Sequence, residues 1–172
     1  TEFALIKEGD VVIDLGSGAG NDAFVARAIT GDKGKVIGVD FTDEMINKAR
    51  ENADKLGFNN VEFRSGDIEN MPITANKADV IISNYVLNLV PDKHKAFTEI
   101  YRVLKPGGHF LLQILNYDYI LSEPVTELPL IDTENIRFTR KYRFLESGSL
   151  LTFQTELLIK AENKTIKNQF TV

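Results

Sequence analysis

An apolar run that stops at glycines limits the possible folds of this chain more than any other feature. Residues 11–15 read Val-Val-Ile-Asp-Leu, and glycine then occupies every second position of residues 16–20. A short apolar run bounded by turn residues is typical of a buried strand. Apolar residues recur at helical spacing over residues 24–29, and Gly31 is a suitable helix stop. Because glycines let the backbone approach a ligand closely, this order predicts the start of a nucleotide-binding βαβ unit.

The spacing of these glycines bears on which cofactor the turn could bind. A dinucleotide site requires G-x-G-x-x-G, but here the third glycine comes one residue early, at Gly20. The pattern Asp14-x-Gly16-x-Gly18-x-Gly20 resembles motif I of class I S-adenosylmethionine-dependent methyltransferases. In that family the acid at the end of the first strand faces the amino acid part of the cofactor. The charge agrees with this resemblance, because a pyrophosphate prefers a helix N-terminus without a nearby carboxylate, whereas a sulfonium cofactor that carries an ammonium group benefits from Asp14. A glycine turn that serves packing alone is the remaining alternative.

Composition excludes several classes of function. The 172 residues carry a net charge of -5 without a long basic stripe, which argues against a nucleic-acid partner. The chain has no cysteine, which excludes disulfides, thiolate metal sites and thiol catalysis, and two histidines do not make a metal site. No apolar run is long enough for a membrane span, and residues 1–8 show no signal-peptide pattern. We therefore expect a cytoplasmic protein without a metal or a membrane partner.

Strand and helix patterns alternate along the first two thirds of the chain. Helices are expected to begin at Asp43 and after Pro91, and the second of these should bury Phe97, Ile100, Tyr101 and Leu104. The pattern predicts an α/β fold, a Rossmann-like, mostly parallel sheet with helices on both faces. The predicted strands after the first cover residues 35–40, 61–64, 78–84 and 109–115.

Polar residues follow the predicted strands at their carboxyl ends, where open α/β sheets bind ligands. A carboxylate at Asp40 can accept two hydrogen bonds from a ribose diol, although a helix-capping role is the alternative and Thr42 is the better cap. Asp67 resembles the acid that accepts from the adenine amino group, and Ile68 would supply a backbone amide and an apolar wall. Met45 is a candidate for the adenine pocket, but a methionine on an apolar stripe is more often core. The candidate cofactor-binding residues are Asp14, Gly16, Ser17, Gly18, Gly20, Asp40, Phe41, Met45, Asp67, Ile68, Asn84 and Tyr85.

Residues 10–108 resemble the arsenite methyltransferase branch of this family. The stretches that carry the resemblance are 14–20, 35–40, 80–89 and 99–108. That branch binds arsenic through cysteine thiolates, and Tyr85 stands where it often has cysteine. Because this chain has no cysteine, we do not expect arsenite to be its substrate.

The chain changes character after residue 115. Residues 116–121 resemble the segment after strand 5 in glycine N-methyltransferases, and three alternating stretches then predict an antiparallel β meander. We expect residues 1–115 to form the S-adenosylmethionine-binding core and residues 116–172 to form a substrate-covering segment. The usual closing helix and last two strands are not recognisable, so either the chain is truncated or the meander replaces them. The alternating stretches are residues 136–145, 150–159 and 165–172.

The resemblance implies an enzyme (EC 2.1.1.-) that transfers a methyl group from S-adenosylmethionine to a small molecule such as an amine or an amino acid. The sulfonium methyl is intrinsically reactive, so the protein mainly aligns the acceptor and excludes water, and no catalytic residue is assigned. An inactive cofactor-binding partner subunit and an NAD-type oxidoreductase are the alternatives. We expect a monomer or a homodimer. The candidate substrate-binding residues are Tyr85, Asn116, Tyr117, Tyr119 and Arg140.

Arg140 falls on the apolar face of its predicted strand, where an unpaired guanidinium would be costly. It could reach solvent along its aliphatic stem or pair with Glu127, Asp132 or Glu156. The more specific interpretation is that it binds a substrate carboxylate, which would make the acceptor an amino acid or a similar anion.

Overall fold

The computed structural model describes residues 4–114, 126–128, 130–144 and 151–171. The chain forms two compact units, Thr1–Ile114 and Leu115–Val172. The first unit alternates strands and helices in the order β1 (Val11–Leu15), α1 (Asn21–Thr30), β2 (Lys35–Asp40), α2 (Asp43–Leu56), β3 (Val61–Ser65), β4 (Ala78–Asn84), α3 (Lys93–Val103) and β5 (Leu104–Gln113).

The five strands of the first unit form one parallel sheet in the order β3-β2-β1-β4-β5. Crossovers between parallel strands are right-handed. Strands β2 and β3 are added on one side of β1, and strands β4 and β5 on its other side. The helices α1 and α2 therefore cover one face of the sheet, and α3 covers the other face. The sheet order therefore reverses between β1 and β4. The Rossmann-like α/β fold predicted from the sequence is confirmed.

The predicted buried face of α3 is partly wrong. Ala96, Ile100 and Val103 face the core, whereas Phe97 and Tyr101 are exposed. The buried positions are four and three residues apart, which is the spacing of one helix face. The prediction counted the aromatic residues Phe97 and Tyr101 as buried, but they lie on the neighbouring, exposed face of the helix. The strand that follows also starts earlier than predicted, because Leu104 already pairs with Ala78 before an irregularity in the register.

The second unit is an antiparallel sheet, as predicted for the meander. Its strands are β6 (Ile131–Asp132), β7 (Ile136–Phe144), β8 (Leu151–Ile159) and β9 (Lys164–Thr171), in that spatial order. Phe138, Leu157 and Ile166 are register partners, and all three are buried. Arg137, on the opposite face of β7, is exposed, which is the alternation expected of strands buried on one side. Among the described residues, no helix has both the length and the apolar character needed to cross a membrane.

Candidate functional site

The glycine loop between β1 and α1 uses its glycines in two different ways. Gly16, Gly18 and Gly20 all have positive φ angles, which L side chains rarely adopt. A Cβ atom at Gly16 would come within 2.6 Å of Val86, and one at Gly20 within 2.7 Å of Phe63. At Gly18, by contrast, no atom of the described residues beyond its two chain neighbours lies within 4 Å of a Cβ position. Packing therefore requires glycine at positions 16 and 20, whereas Gly18 borders open space that a ligand could fill.

Asp40 holds this loop against the start of α2. Its Oδ2 accepts a hydrogen bond from the N–H of Gly18 at 2.9 Å, and its Oδ1 accepts one from the N–H of Thr42 at 2.9 Å. Thr42 occupies the N-cap position, but its side chain makes no capping bond. Thr42 therefore stands at the predicted cap position without making the capping bond, and Asp40 binds the N–H of the N-cap residue rather than an N–H of the first helical turn. Each carboxylate oxygen keeps a second lone pair, so the ribose contact stays a prediction.

Asn52 contributes to this site but was not predicted from the sequence. It is buried in α2, and its Nδ2 donates to the backbone oxygen of Ala19 at 3.1 Å. This bond fixes the far end of the glycine loop. The available signal was a polar residue among the apolar positions of an amphipathic helix, since Ala49 and Ala53 are buried on either side of it.

Two buried oxygens lie on one face of the sheet where β1 and β4 end. Asp14 pairs in register with Ile82, and Asn84 follows two residues later, so their side chains share a face. Asp14 is 2% exposed. Its Oδ2 and the Oδ1 of Asn84 are buried without a hydrogen-bond partner within the described parts of the chain. Buried acceptors normally have a partner, so this edge of the sheet is built to receive a donor.

The electrostatics of Asp14 favour a cation at this edge. Burial raises the pKa of the Asp14 carboxyl well above its usual value, and the carboxylates of Asp22 and Asp40 raise it further. The backbone N–H of Ala23, in the first turn of α1, hydrogen-bonds to this carboxyl and lowers its pKa. A cationic donor would stabilise the ionised form. The site therefore fits the ammonium group of S-adenosylmethionine. It fits a pyrophosphate poorly, because a buried carboxylate at the N-terminus of α1 would repel an anion and already accepts from one of the helix's backbone donors.

Tyr85 follows β4 in an unusual backbone conformation. Its φ angle is 62°, in the left-handed region. Its N–H donates to the backbone oxygen of Gln113 at 3.0 Å, and the side-chain Nε2 of Gln113 donates to its Oη at 2.8 Å. Gln113 was not predicted as a site residue, because a glutamine at the end of a strand carries no local signal of a role.

The remaining predicted cofactor residues lie at the same carboxyl edge of the sheet. Phe41 is 75% exposed directly after β2, and Met45 is half-buried, outside the buried stripe of α2. Asp67 follows β3 and accepts from the N–H of Glu69 at 2.9 Å. The side chain of Ile68 belongs to the apolar core. The contacts predicted from these residues to the cofactor stay predictions, as do those of Ser17, whose buried Oγ has no partner within the described part of the chain.

The predicted substrate residues fall largely in the second part of the chain. Asn116, Tyr117 and Tyr119 lie outside the described residues. Arg140 is half-buried on the apolar face of β7, with its guanidinium carbon 5.3 Å from the centroid of the Phe138 ring. A cation–π contact of this kind makes the apolar face tolerable for the charge. Binding of a substrate carboxylate by Arg140 stays a prediction.

Two candidate partners of Arg140 form ion pairs elsewhere in the second unit. Asp132 pairs with Arg137 and Lys160. Glu156 pairs with Lys167 at 3.1 Å. These carboxylates therefore help to neutralise the charged, exposed face of the sheet.

Comparison with known proteins places this geometry in context. A family model described as a methyltransferase domain matches residues 6–168. An arsenite methyltransferase from Halobacterium salinarum is 44% identical over 134 residues, which cover 78% of this chain and 33% of that protein. The ubiquinone/menaquinone biosynthesis C-methyltransferase UbiE from Enterobacter sp. is 34% identical over 123 residues, 71% of this chain and 48% of that protein.

Solved structures of methyltransferases are also similar to this chain. CrArsM, an arsenic (III) S-adenosylmethionine methyltransferase from Chlamydomonas reinhardtii, superposes with a TM-score of 0.58 at 38% identity. The match covers 70% of this chain and 45% of that one. This chain thus spans a third to a half of the length of these relatives.

Proposed function

Since the chain belongs to the class I S-adenosylmethionine-dependent methyltransferases, near the arsenite methyltransferase branch, we propose that it transfers a methyl group to a small-molecule acceptor. The cofactor of this family is S-adenosylmethionine. When bound, it supplies an electrophilic methyl group on a sulfonium. The observation that carries the proposal is the pair of buried acceptors, Asp14 Oδ2 and Asn84 Oδ1, without a partner in the described part of the chain.

Each residue of the site has a defined task in this proposal. Asp14 and Asn84 bind the ammonium group, which gives their buried oxygens the donors they lack. Gly18 has no side chain, so the ligand can approach the backbone closely at this position. Asp40 accepts hydrogen bonds from the ribose and also holds the glycine loop in place. The protein then needs only to align the acceptor and exclude water, because the methyl donor is reactive by itself.

The acceptor proposed for this chain is an amine or an amino acid. Arsenic(III) prefers soft thiolate ligands, and these 172 residues contain no cysteine. Tyr85 stands instead near the carboxyl end of β4 and offers a hydroxyl that can hydrogen-bond to an N–H group. An amine must be neutral to act as a nucleophile, so an orienting hydroxyl suits it better than a carboxylate that would hold it charged.

Cofactor binding and methyl transfer are tested separately. S-adenosylhomocysteine should raise the melting temperature, with a stabilisation of about 2.7 kcal/mol at a concentration 100-fold above Kd, whereas NAD should not. Methyl transfer is then measured from S-[methyl-³H]adenosylmethionine to glycine, sarcosine and methylamine. Stabilisation by NAD alone would contradict the cofactor assignment. Binding without transfer to any of these amines would contradict the proposed acceptor and favour the inactive partner subunit.

A further inference from the structure

Tyr85 is held in a conformation that a tyrosine does not adopt without support. Left-handed φ angles cost free energy for residues with a Cβ atom, and they persist where the surroundings enforce them. Such residues cluster at functional sites. Tyr85 has its φ of 62° immediately after β4, at the carboxyl edge of the sheet where ligands bind.

Gln113 hydrogen-bonds to both the backbone and the side-chain hydroxyl of Tyr85. Its backbone oxygen accepts from the N–H of Tyr85 at 3.0 Å, and its Nε2 donates to Oη at 2.8 Å. Gln113 is the register partner of Asn84, so it extends the row of polar side chains that begins with Asp14. The backbone bond needs no particular side chain at position 113. The side-chain bond does, and it determines where the phenol oxygen lies.

The direction of the hydrogen bond between Gln113 and Tyr85 determines which hydrogen bonds the Oη atom of Tyr85 can still make. Because the amide N–H of Gln113 donates to Oη, one lone pair of the oxygen is used and the phenol proton points elsewhere. The second lone pair can accept an N–H from an amine. A neutral amine held by one of its N–H groups keeps the nitrogen lone pair free to attack a methyl group.

We propose that Gln113 is a positioning residue that places the hydroxyl of Tyr85 to hold the methyl acceptor by one of its N–H groups. The inference rests on the proposed function of the same site. It predicts that Gln113 affects methyl transfer only through the hydroxyl of Tyr85, while the cofactor binds as before.

A double-mutant cycle tests this dependence. Tyr85→Phe, Gln113→Met and the double variant are assayed with tritiated S-adenosylmethionine and with glycine, sarcosine and methylamine as probes. Each single variant should lose about tenfold in kcat/KM, the equivalent of about 1.4 kcal/mol. The double variant should match Tyr85→Phe within about twofold, because the second change removes an interaction that is already lost. The Kd for S-adenosylhomocysteine of Gln113→Met should stay within about twofold of that of the wild type.

A matched control is available on the second unit. Gln154 also donates its side-chain amide to a side-chain oxygen, that of Gln169 at 2.8 Å, but on an exposed surface. Gln154→Met should leave methyl transfer unchanged. If Gln113→Met does not fold, Gln113→Asn replaces it, because the shorter amide cannot keep the 2.8 Å contact with Oη.

The possible failures can be told apart. Additive losses in the double variant, or unchanged transfer in the Gln113 variant, would overturn the inference and leave the proposed function standing. If the wild type methylates none of the three probes, the proposed acceptor class fails and the inference fails with it.

Discussion

Replacement of Asp14 by asparagine should move stability and cofactor affinity in opposite directions. The carboxyl is 2% exposed, and its Oδ2 has no hydrogen-bond partner in the part of the chain that the structure describes. Asparagine has the same shape and keeps an oxygen for the N–H of Ala23, the backbone donor to this carboxyl. The substitution therefore removes a buried charge, while an amide NH2 group takes the place of Oδ2.

The expected magnitudes follow from this geometry. Burial penalises the ionised form of Asp14 and raises its pKa, and a pKa change of one corresponds to about 1.4 kcal/mol. The ligand-free variant, which cannot ionise, should therefore be more stable than the wild type at neutral pH by an amount of that order. For a chain of this size each kcal/mol corresponds to about 2–4 °C in melting temperature. A hydrogen bond to a charged group contributes about 1.5–3 kcal/mol. Its loss should weaken S-adenosylhomocysteine binding by roughly 10- to 150-fold.

The pH dependence of stability independently checks whether Asp14→Asn is stabilising. Burial raises the pKa of Asp14 in the folded state above its ordinary value of 3.8, so the folded protein holds this proton more tightly than the unfolded chain. Wild-type stability therefore falls as the pH rises through the folded-state pKa of Asp14. The advantage of Asp14→Asn should be absent below the ordinary pKa and should develop as the pH approaches neutrality.

Thermal melts of the ligand-free proteins from acid to neutral pH, together with calorimetric titrations of S-adenosylhomocysteine, measure both effects. Asn52→Asp serves as a contrasting variant, since it places a charge in a buried position that now donates to Ala19 and should be destabilising. A variant Asp14→Asn that is less stable than the wild type at neutral pH, or that binds the ligand equally well, would refute the reasoning.

The remaining predictions concern the glycine loop, the ribose contact and the acceptor. Gly16→Ala should be strongly destabilising, because its Cβ would lie 2.6 Å from Val86. Gly18→Ala should cost less stability, from its positive φ angle alone, and should weaken S-adenosylhomocysteine binding; melting curves and calorimetry separate the two. Asp40→Ala should weaken that ligand by roughly 1–3 kcal/mol and also lower the melting temperature, since two backbone N–H groups lose their acceptor. Unchanged affinity would remove the ribose role. Arg140→Lys should reduce the affinity for a carboxylate substrate but not for the cofactor, as fluorescence or calorimetric titration would show, because lysine lacks the bidentate geometry. Purified chain should produce no methylated arsenic from arsenite in a mass-spectrometric assay, because it has no thiolate.

The local pattern of the sequence determined the family, the cofactor and the order of strands and helices. The motif from Asp14 to Gly20 predicted a class I methyltransferase core, and the comparisons confirm it. Strand boundaries such as Lys35–Asp40 and Ala78–Asn84 were also predicted correctly. These features can be read locally because glycine spacing and apolar runs reflect the backbone and burial needs of neighbouring residues.

The tertiary structure alone decided which residues meet. Gln113 and Tyr85 are 28 positions apart, and Asn52 and Ala19 are 33 apart, so no local pattern joins them. The glycines of one motif look alike in the sequence, yet Gly16 is packed against Val86 and Gly18 is open. Asp40 was predicted from its position to bind a ribose, and only the structure shows that it holds the glycine loop. Parallel strands bring residues from distant parts of the chain to one edge of the sheet, and hydrogen bonds between them depend on that register rather than on sequence spacing.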